Sequence, residues 1–296
     1  MKSSNNLDIY LHLGPHKTGT TSFQYLLEKN ESFLISKNIC LLTVRSTKAK
    51  EYKKWRREYG GIIQRYIASE YKNYNKTLEK LQLVIGKLAI LVDVNCDKLI
   101  ISDENLLGPI PGHSFPNNKG CEKYFYSAHD VIFESMYLHF GKNLKTLMLV
   151  QRDIYGFIIS SYRDYILKLE NMNGVYDFYK DLDKDFCLQY NNFYNLEKIK
   201  YNILQVKDFN DFVKDFNVSL NHLLGFSIKL PNQTYKVSNQ SITWEAIDMA
   251  LNSKIVFETE EERRIYKKTL LNNRSMNIPK NIQNQIQKIK KELEAY

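Results

Sequence analysis

The stretch Gly14-Pro15-His16-Lys17-Thr18-Gly19-Thr20-Thr21 sets two glycines at the spacing of a phosphate loop, G-x-x-x-x-G, with a cation inside it and two hydroxyls behind it. In a loop that cradles a nucleoside triphosphate, the residue after the second glycine is a lysine that reaches the β- and γ-phosphates, and the next hydroxyl holds Mg²⁺. Here Thr20 stands in that place and the cation sits earlier, at Lys17. A triphosphate would lose its main positive contact, and only Asp103 offers an acidic metal partner at the end of a predicted strand. What remains is recognition of a smaller phosphate group. Backbone N–H groups of residues 18–21 and the terminus of the following helix suit a 5′-phosphate, with Lys17 farther out, toward whatever that phosphate carries.

A second set of reactive side chains is Asp103, Glu104 and Asn105, directly after the apolar run Lys98–Ser102. A carboxylate at the C-terminal end of a parallel strand stands where open α/β sheets build their sites, and it can take a proton. The same residues can equally cap the next segment or pair with a surface lysine. His16 lies inside the loop, and His113 and His129 follow in loop-rich sequence. His12 alternates with Leu11 and Leu13 inside the first predicted strand, which marks it as a buried, satisfied residue rather than a catalyst.

These groups need a frame. Ile9–Leu13 is a short apolar run ending at a glycine, and Thr20–Glu28 continues with helical periodicity, so the loop sits between a strand and a helix. Further strands are predicted at Ile39–Val44, Lys98–Ser102, Leu144–Gln151 and Tyr201–Val206, with helical patterns between them. That alternation predicts an α/β protein, a three-layer α/β/α arrangement around a mainly parallel sheet. We expect a single domain over residues 1–296, with a helical insertion around 51–95 and a helical C-terminal region over 241–296. The basic, aromatic segment Glu51–Tyr74 is expected to be helical on either side of Gly60 and Gly61, and to be either a solvated face or a lid over an acceptor. The apolar run from Leu81 reads as a buried helix. In the tail, Ile278, Ile282, Ile286, Ile289 and Leu293 form a stripe that packs on the core, with peripheral membrane contact as the lesser reading.

Composition narrows the classes. The chain has 296 residues, 43% of them hydrophobic, enough for a sizeable core, and 42 basic against 33 acidic residues give a net charge of +9. The excess favours an anionic ligand, but the basic residues are dispersed and no nucleic-acid recognition module is visible. No apolar run is long enough to cross a bilayer, and the first residues run straight into a strand without room for an apolar leader, so a cytoplasmic location is expected. Cys40, Cys96, Cys121 and Cys187 are scattered, which predicts ordinary reduced thiols and no metal centre.

With the loop in its strand–helix setting, the sequence resembles the sulfotransferases that use 3′-phosphoadenosine 5′-phosphosulfate (PAPS), and KTGTT at Lys17–Thr21 looks like the 5′-phosphosulfate loop of the glycan-modifying branch and of many bacterial members. The second signature of that family is an arginine ending a strand with a serine eight residues on. QRDIYGFIISSYRDY supplies it as Arg152 and Ser160. Eight helical residues cover about 12 Å, a span that a long arginine closes by folding back beside the hydroxyl. Weaker likeness to bacterial members lies in SDENL from Ser102, in ILQVKDFNDFVKDF from Ile203 and in SNQSITWEAIDMALN from Ser238.

The resemblance implies a P-loop-like sulfotransferase fold and transfer of a sulfonate from PAPS to an acceptor hydroxyl, releasing PAP without a metal. It implies contacts to the donor from His16, Lys17, Thr18, Gly19, Thr20 and Thr21 at the 5′ end and from Arg152 and Ser160 at the 3′-phosphate. Lys17 would follow the charge that grows on the bridging oxygen, and Glu104 matches the glutamate that some members use as base. Asp103 is the neighbouring competitor, and His113 is a further one because cytosolic small-molecule members use histidine. The glycan-modifying branch suggests a carbohydrate acceptor, with specificity in Glu51–Tyr74 and Gly108–Lys123; lipid and small-molecule acceptors stay open. Two rival readings are a P-loop kinase and a non-enzymatic binding protein on the same scaffold.

Overall fold

A computed structural model describes residues 7–93, 95–113, 122–168, 173–200, 203–233, 242–253, 258–273, 275 and 277–295. Five strands, β1 (Asp8–His12), β2 (Ile39–Leu42), β3 (Lys98–Ser102), β4 (Leu144–Gln151) and β5 (Leu204–Asp208), form one sheet in the order β2-β3-β1-β4-β5. Every pairing is parallel. Buried strands need apolar side chains on both faces, and β1 and β3 supply them with Ile9, Tyr10, Leu11, Leu99, Ile100 and Ile101.

The helices are α1 (Thr20–Lys29), α2 (Glu31–Ser36), α3 (Ala49–Ala68), α4 (Tyr74–Gly86), α5 (His129–Phe140), α6 (Ile154–Lys168), α7 (Val175–Lys180), α8 (Phe186–Lys200), α9 (Phe209–Lys214), α10 (Phe216–Leu224), α11 (Trp244–Ser253), α12 (Glu260–Asn272) and α13 (Lys280–Leu293). Alternate strand residues feed two cores. Tyr10, Ile100, Met148 and Val150 pack with Phe23 and Leu27 of α1, Phe212 of α9 and Leu220 of α10. Leu11, Ile101, Leu147 and Leu149 pack with residues from α3, α4, α5, α6, α8, α11 and α13. The architecture is thus the layered α/β one expected from the sequence.

Strand β1 lies between β3 and β4, so the chain leaves β1 for one side of the sheet and later returns to its other side. The segments after β1, β3 and β4 therefore emerge side by side at the strands' C-terminal edge, where the strand order turns. Asp103 N–H donates to His12 O at 3.1 Å and Leu13 N–H to Met148 O at 3.1 Å, tying the three exits together.

Several local expectations need correction. Strand β2 stops at Leu42, and β5 runs from Leu204 to Asp208, with Tyr201 outside the described residues. Helix α3 is continuous through Gly60 and Gly61. Each glycine costs about 1 kcal/mol in a helix interior, but the buried stripe of Tyr52, Trp55, Tyr59, Ile62, Ile63, Tyr66 and Ile67 holds the helix in register on the core. The run from Leu81 is not a fully buried helix: α4 ends at Gly86, a 3-10 turn follows over Lys87–Leu91, and Leu83 and Ile90 are 73% and 83% exposed.

The thiols also differ from expectation. Cys40 in β2 and Cys96 just before β3 form a disulfide with a Cα–Cα distance of 5.8 Å. Parallel pairing of β2 with β3 brings them together across a separation of 56 residues that carries no sequence signal. Such bridges persist mainly in oxidising compartments, so this one and the cytoplasmic expectation pull apart. Cys187 is free and buried, and Cys121 lies outside the described residues. Among the described residues no helix is long and apolar enough to cross a membrane. The tail stripe packs inward, with Ile282, Ile286 and Ile289 buried in α13 against α6 and α7.

Candidate functional site

The loop after β1 takes two left-handed residues, Lys17 at φ 68° and Gly19 at φ 78°. Gly19 is required twice over, because a Cβ there would also stand 2.8 Å from Val213 Cγ1 on α9. A Cβ on Gly14 would meet Thr20 Cγ2 at 3.0 Å and Thr18 Oγ1 at 3.2 Å, so the loop closes tightly on itself. Thr18 Oγ1 donates to Pro15 O at 2.5 Å, and Thr18 and Thr20 are buried. Helix α1 starts at Thr20 with no capping side chain and no acidic residue in its first turn. Its N-terminal dipole is therefore left to attract an anion.

The exit from β4 meets that loop. Arg152 Nη1 donates to Lys17 O at 2.9 Å, and its guanidinium lies over the Phe209 ring at 4.7 Å. A Cβ on Gly156 would come within 2.8 Å of Arg152 Nε, so the arginine crosses the first turn of α6 where only glycine leaves room. Ser160, half-buried, stands one turn further on the same face, and Asp164 one turn beyond that. Lys17 stretches along this face until its Nζ reaches Asp164 Oδ1 at 2.6 Å. Burial alone would raise the Asp164 carboxyl, but the ammonium of Lys17 outweighs it and holds the group below the usual carboxylate range.

Arg163, on the next position around α6, stacks on the Trp244 ring at 4.5 Å. The Nε atoms of Arg152 and Arg163 are buried without a hydrogen-bond partner among the described residues. Burial lowers both guanidinium pKa values, with Tyr155 opposing and the charge of Arg152 adding to the shift of Arg163. A planar guanidinium at the start of α6 suits an anion.

At the exit from β3, Glu104 is half-buried and accepts from Gln24 Nε2 of α1 at 2.7 Å, which brings a carboxylate beside the phosphate-loop helix. Asp103 is fully engaged elsewhere. It accepts from Asn105 N at 3.0 Å, Asn105 Nδ2 at 2.9 Å and Tyr52 Oη at 3.1 Å, and pairs with Arg56 at 3.4 Å. Burial and then Glu104 push its carboxyl up, while Arg56 and Asn105 pull the other way. Of its two readings, Asp103 takes the capping and pairing one.

The histidines divide. The backbone N–H of His16 donates to Tyr126 Oη at 2.8 Å, and the same hydroxyl meets His16 Nδ1 at 2.8 Å. Nε2 faces Asn105 Oδ1 at 3.5 Å, so the tautomer assigned by its neighbours carries the proton on Nε2. Burial, then the charge of Lys17, brings its pKa down to about 4, and the ring is neutral at pH 7. His113 donates Nε2–H to Ser161 O at 3.0 Å, while its Nδ1 is buried with no partner among the described residues. Burial and Lys168 lower its pKa to about 4. His12 meets Ser102 Oγ through Nδ1 at 2.8 Å, but its Nε2 is buried and unpartnered among the described residues, so the expectation of a satisfied ring holds for one nitrogen. His129 meets Tyr126 O at 2.9 Å. Tyr162 is buried and donates to Asn173 O at 3.0 Å, as a core residue does.

The structure thus gathers Lys17, Arg152 and Ser160 along α6, with Glu104 on the neighbouring exit. Sequence reasoning missed Asp164, Arg163, Tyr126 and Gln24. Asp164 had a signal, since it falls four residues after Ser160 and so on one helical face with it. Gln24 and Tyr126 had none. Of the proposed acceptor segment Gly108–Lys123, residues 114–121 lie outside the described residues, as do residues 238–241 of the stretch from Ser238.

No family model matches the chain. No curated protein matches it by sequence. Among solved structures the chain is similar to one titled as the crystal structure of retinol dehydratase in complex with androsterone and inactive cofactor PAP. Identity is 12% and the TM-score 0.36, over 99% of this chain and 82% of that one. A likeness this loose carries no residue or ligand across to this chain.

Proposed function

We propose that the chain is a sulfotransferase that moves the sulfonate of PAPS to a hydroxyl of an acceptor, with a carbohydrate as the acceptor class, and releases PAP. The observation that carries this reading is the meeting of two motifs on one residue. The carbonyl of Lys17 accepts from Arg152, and its side chain runs along the α6 face that bears Ser160. The loop and the arginine–serine pair thereby lie next to each other, an arrangement suited to a ligand with a phosphate at each end.

The residues present fit such a donor. The uncapped N-terminus of α1 and the tight loop at Gly14 and Gly19 suit its 5′ phosphate, and the guanidinium of Arg152 with the Ser160 hydroxyl two turns along α6 suits its 3′-phosphate. The donor supplies an activated sulfonate, whose bridging oxygen gains negative charge during transfer. Lys17 meets that growing charge, and a contact that strengthens in the transition state lowers the barrier. Glu104, oriented by Gln24, takes the acceptor's proton. His16, kept neutral by burial, offers Nε2–H rather than a second positive charge. A carbohydrate acceptor is supported only by the likeness of KTGTT to the glycan-modifying branch.

The test is calorimetric titration with PAP, 5′-AMP and Mg-ATP, followed by transfer of labelled sulfonate from PAPS to a panel of sugar, lipid and phenolic acceptors. PAP is expected to bind, Mg-ATP is not, and label transfer is expected to disappear in Lys17→Ala. Binding of Mg-ATP without PAP would instead mark a kinase. Binding of PAP with no turnover on any acceptor, and with no effect of Glu104→Gln, would mark a binding protein on this scaffold.

A further inference from the structure

We infer that Asp164 is the resting counter-ion of Lys17, displaced from it when the donor's anion arrives, and that the carboxylate so released favours an acceptor group that donates a hydrogen bond. The inference rests on the sulfotransferase reading for the identity of the anion, and on the geometry of the pair for the exchange itself.

Three features support an exchange rather than a structural staple. The side chains of Lys17 and Asp164 are 20% and 31% exposed, so a ligand can reach both partners. The pair sits at the rim of the core rather than inside it, so separating it leaves neither charge fully buried. The Lys17 main chain is held from the other side by Arg152, so the ammonium can swing between partners by side-chain rotation while the loop stays in place.

The charges around Asp164 give the exchange a direction. The groups acting on its carboxyl are Lys17, His113 and Lys168, and the first of these makes the 2.6 Å contact. While the pair is made, Asp164 cancels the charge of Lys17. An incoming anion competes for that same cation, and every anion that needs Lys17 binds less tightly by the free energy of breaking the pair. Once Lys17 has turned to the anion, Asp164 is a carboxylate next to the transferring group. An acceptor that donates a hydrogen bond there restores its lost contact, which places acceptor binding after donor binding.

The experiment is a double-mutant cycle on PAP affinity by titration calorimetry, with Asp164→Asn, Lys17→Met and the double variant. Thermal melting serves to establish that each is folded. Asp164→Asn keeps the shape and removes the competing charge, so PAP should bind about five- to tenfold tighter, the range expected from a part-exposed ion pair plus relief of repulsion. In the Lys17→Met background the same change should have little effect. The inference is overturned if Asp164→Asn binds PAP with equal or lower affinity, as a purely positioning role would give, or if the gain persists without Lys17. Should the parent bind no PAP, the sulfotransferase reading falls. The same cycle with pyrophosphate, which asks only for an anion, then still decides the role of Asp164.

Discussion

The guanidinium of Arg152 donates through Nη1 to the main-chain oxygen of Lys17 at 2.9 Å, across 135 residues of sequence. Arg152 thus braces the loop after β1 through Nη1, while its Nε is buried without a partner among the described residues. A lysine at position 152 would keep the charge but lose the planar fork.

Arg152→Lys is therefore expected to weaken PAP by about 10- to 100-fold, the equivalent of the roughly 1.5–3 kcal/mol of a charge-assisted hydrogen bond. Binding of 5′-AMP, which lacks the 3′-phosphate, should change only a few-fold. Equal losses for the two nucleotides, measured by calorimetry, would show that Arg152 acts on the loop alone.

Gly19→Ala should destabilise the fold by two separable routes. The left-handed φ of 78° costs a side chain about 1–2 kcal/mol, and the new Cβ would meet Val213 Cγ1 at 2.8 Å. Urea denaturation should show a loss of about 2–3 kcal/mol for the single variant, with part of it restored in Gly19→Ala/Val213→Ala. The remainder is the backbone term, which no change in α9 can remove.

Stability should be lost on the acid side of pH 6.5 and level off above neutrality. His12, His16 and His113 titrate at about 3, 4 and 4 in the folded chain, below the ordinary 6.5, because burial penalises the charged ring. As pH falls below 6.5 the unfolded chain takes up protons that the folded chain refuses, and stability is lost. Glu122 acts in the opposite sense. Burial raises its carboxyl to about 7 from 4.5, against the hydrogen bonds from Ser127 and Tyr124, so stability falls as pH rises from 4.5 through 7. The full cost above pH 7 is about 3 kcal/mol. Glu122→Gln should then gain more stability between pH 4.5 and 8 than the parent does, as followed by chemical denaturation at a series of pH values.

Much of the site could be read before the fold was known, because its parts are local. A strand, a glycine-bounded loop and a helix lie in one short stretch, and the strand limits Lys98–Ser102 and Leu144–Gln151 follow directly from runs of branched apolar residues. Such features depend on backbone geometry within a few residues. Glu104, placed at a strand exit by that same logic, does stand beside the loop helix. The readings that needed correction are those in which a long-range contact decided the outcome. Continuous helix through Gly60 and Gly61 follows from the aromatic stripe of α3 on the core, and the Cys40–Cys96 disulfide from the pairing of β2 with β3.

From the sequence alone came the α/β class and the glycine-bounded loop with its displaced cation at Lys17, written in consecutive residues whose types set local conformation and charge, while the Arg152–Ser160 pair came from the resemblance to the sulfotransferases. Tertiary structure alone decided that Arg152 meets the loop at Lys17, that Asp164 holds Lys17, that Tyr126 and Asn105 set the state of His16, and that Cys40 meets Cys96. Those contacts depend on strand order and helix packing, which bring residues 56 to 147 positions apart within a few ångströms, as His12 and Ser102 also show. No pattern of neighbouring residues encodes which distant side chain will be found there.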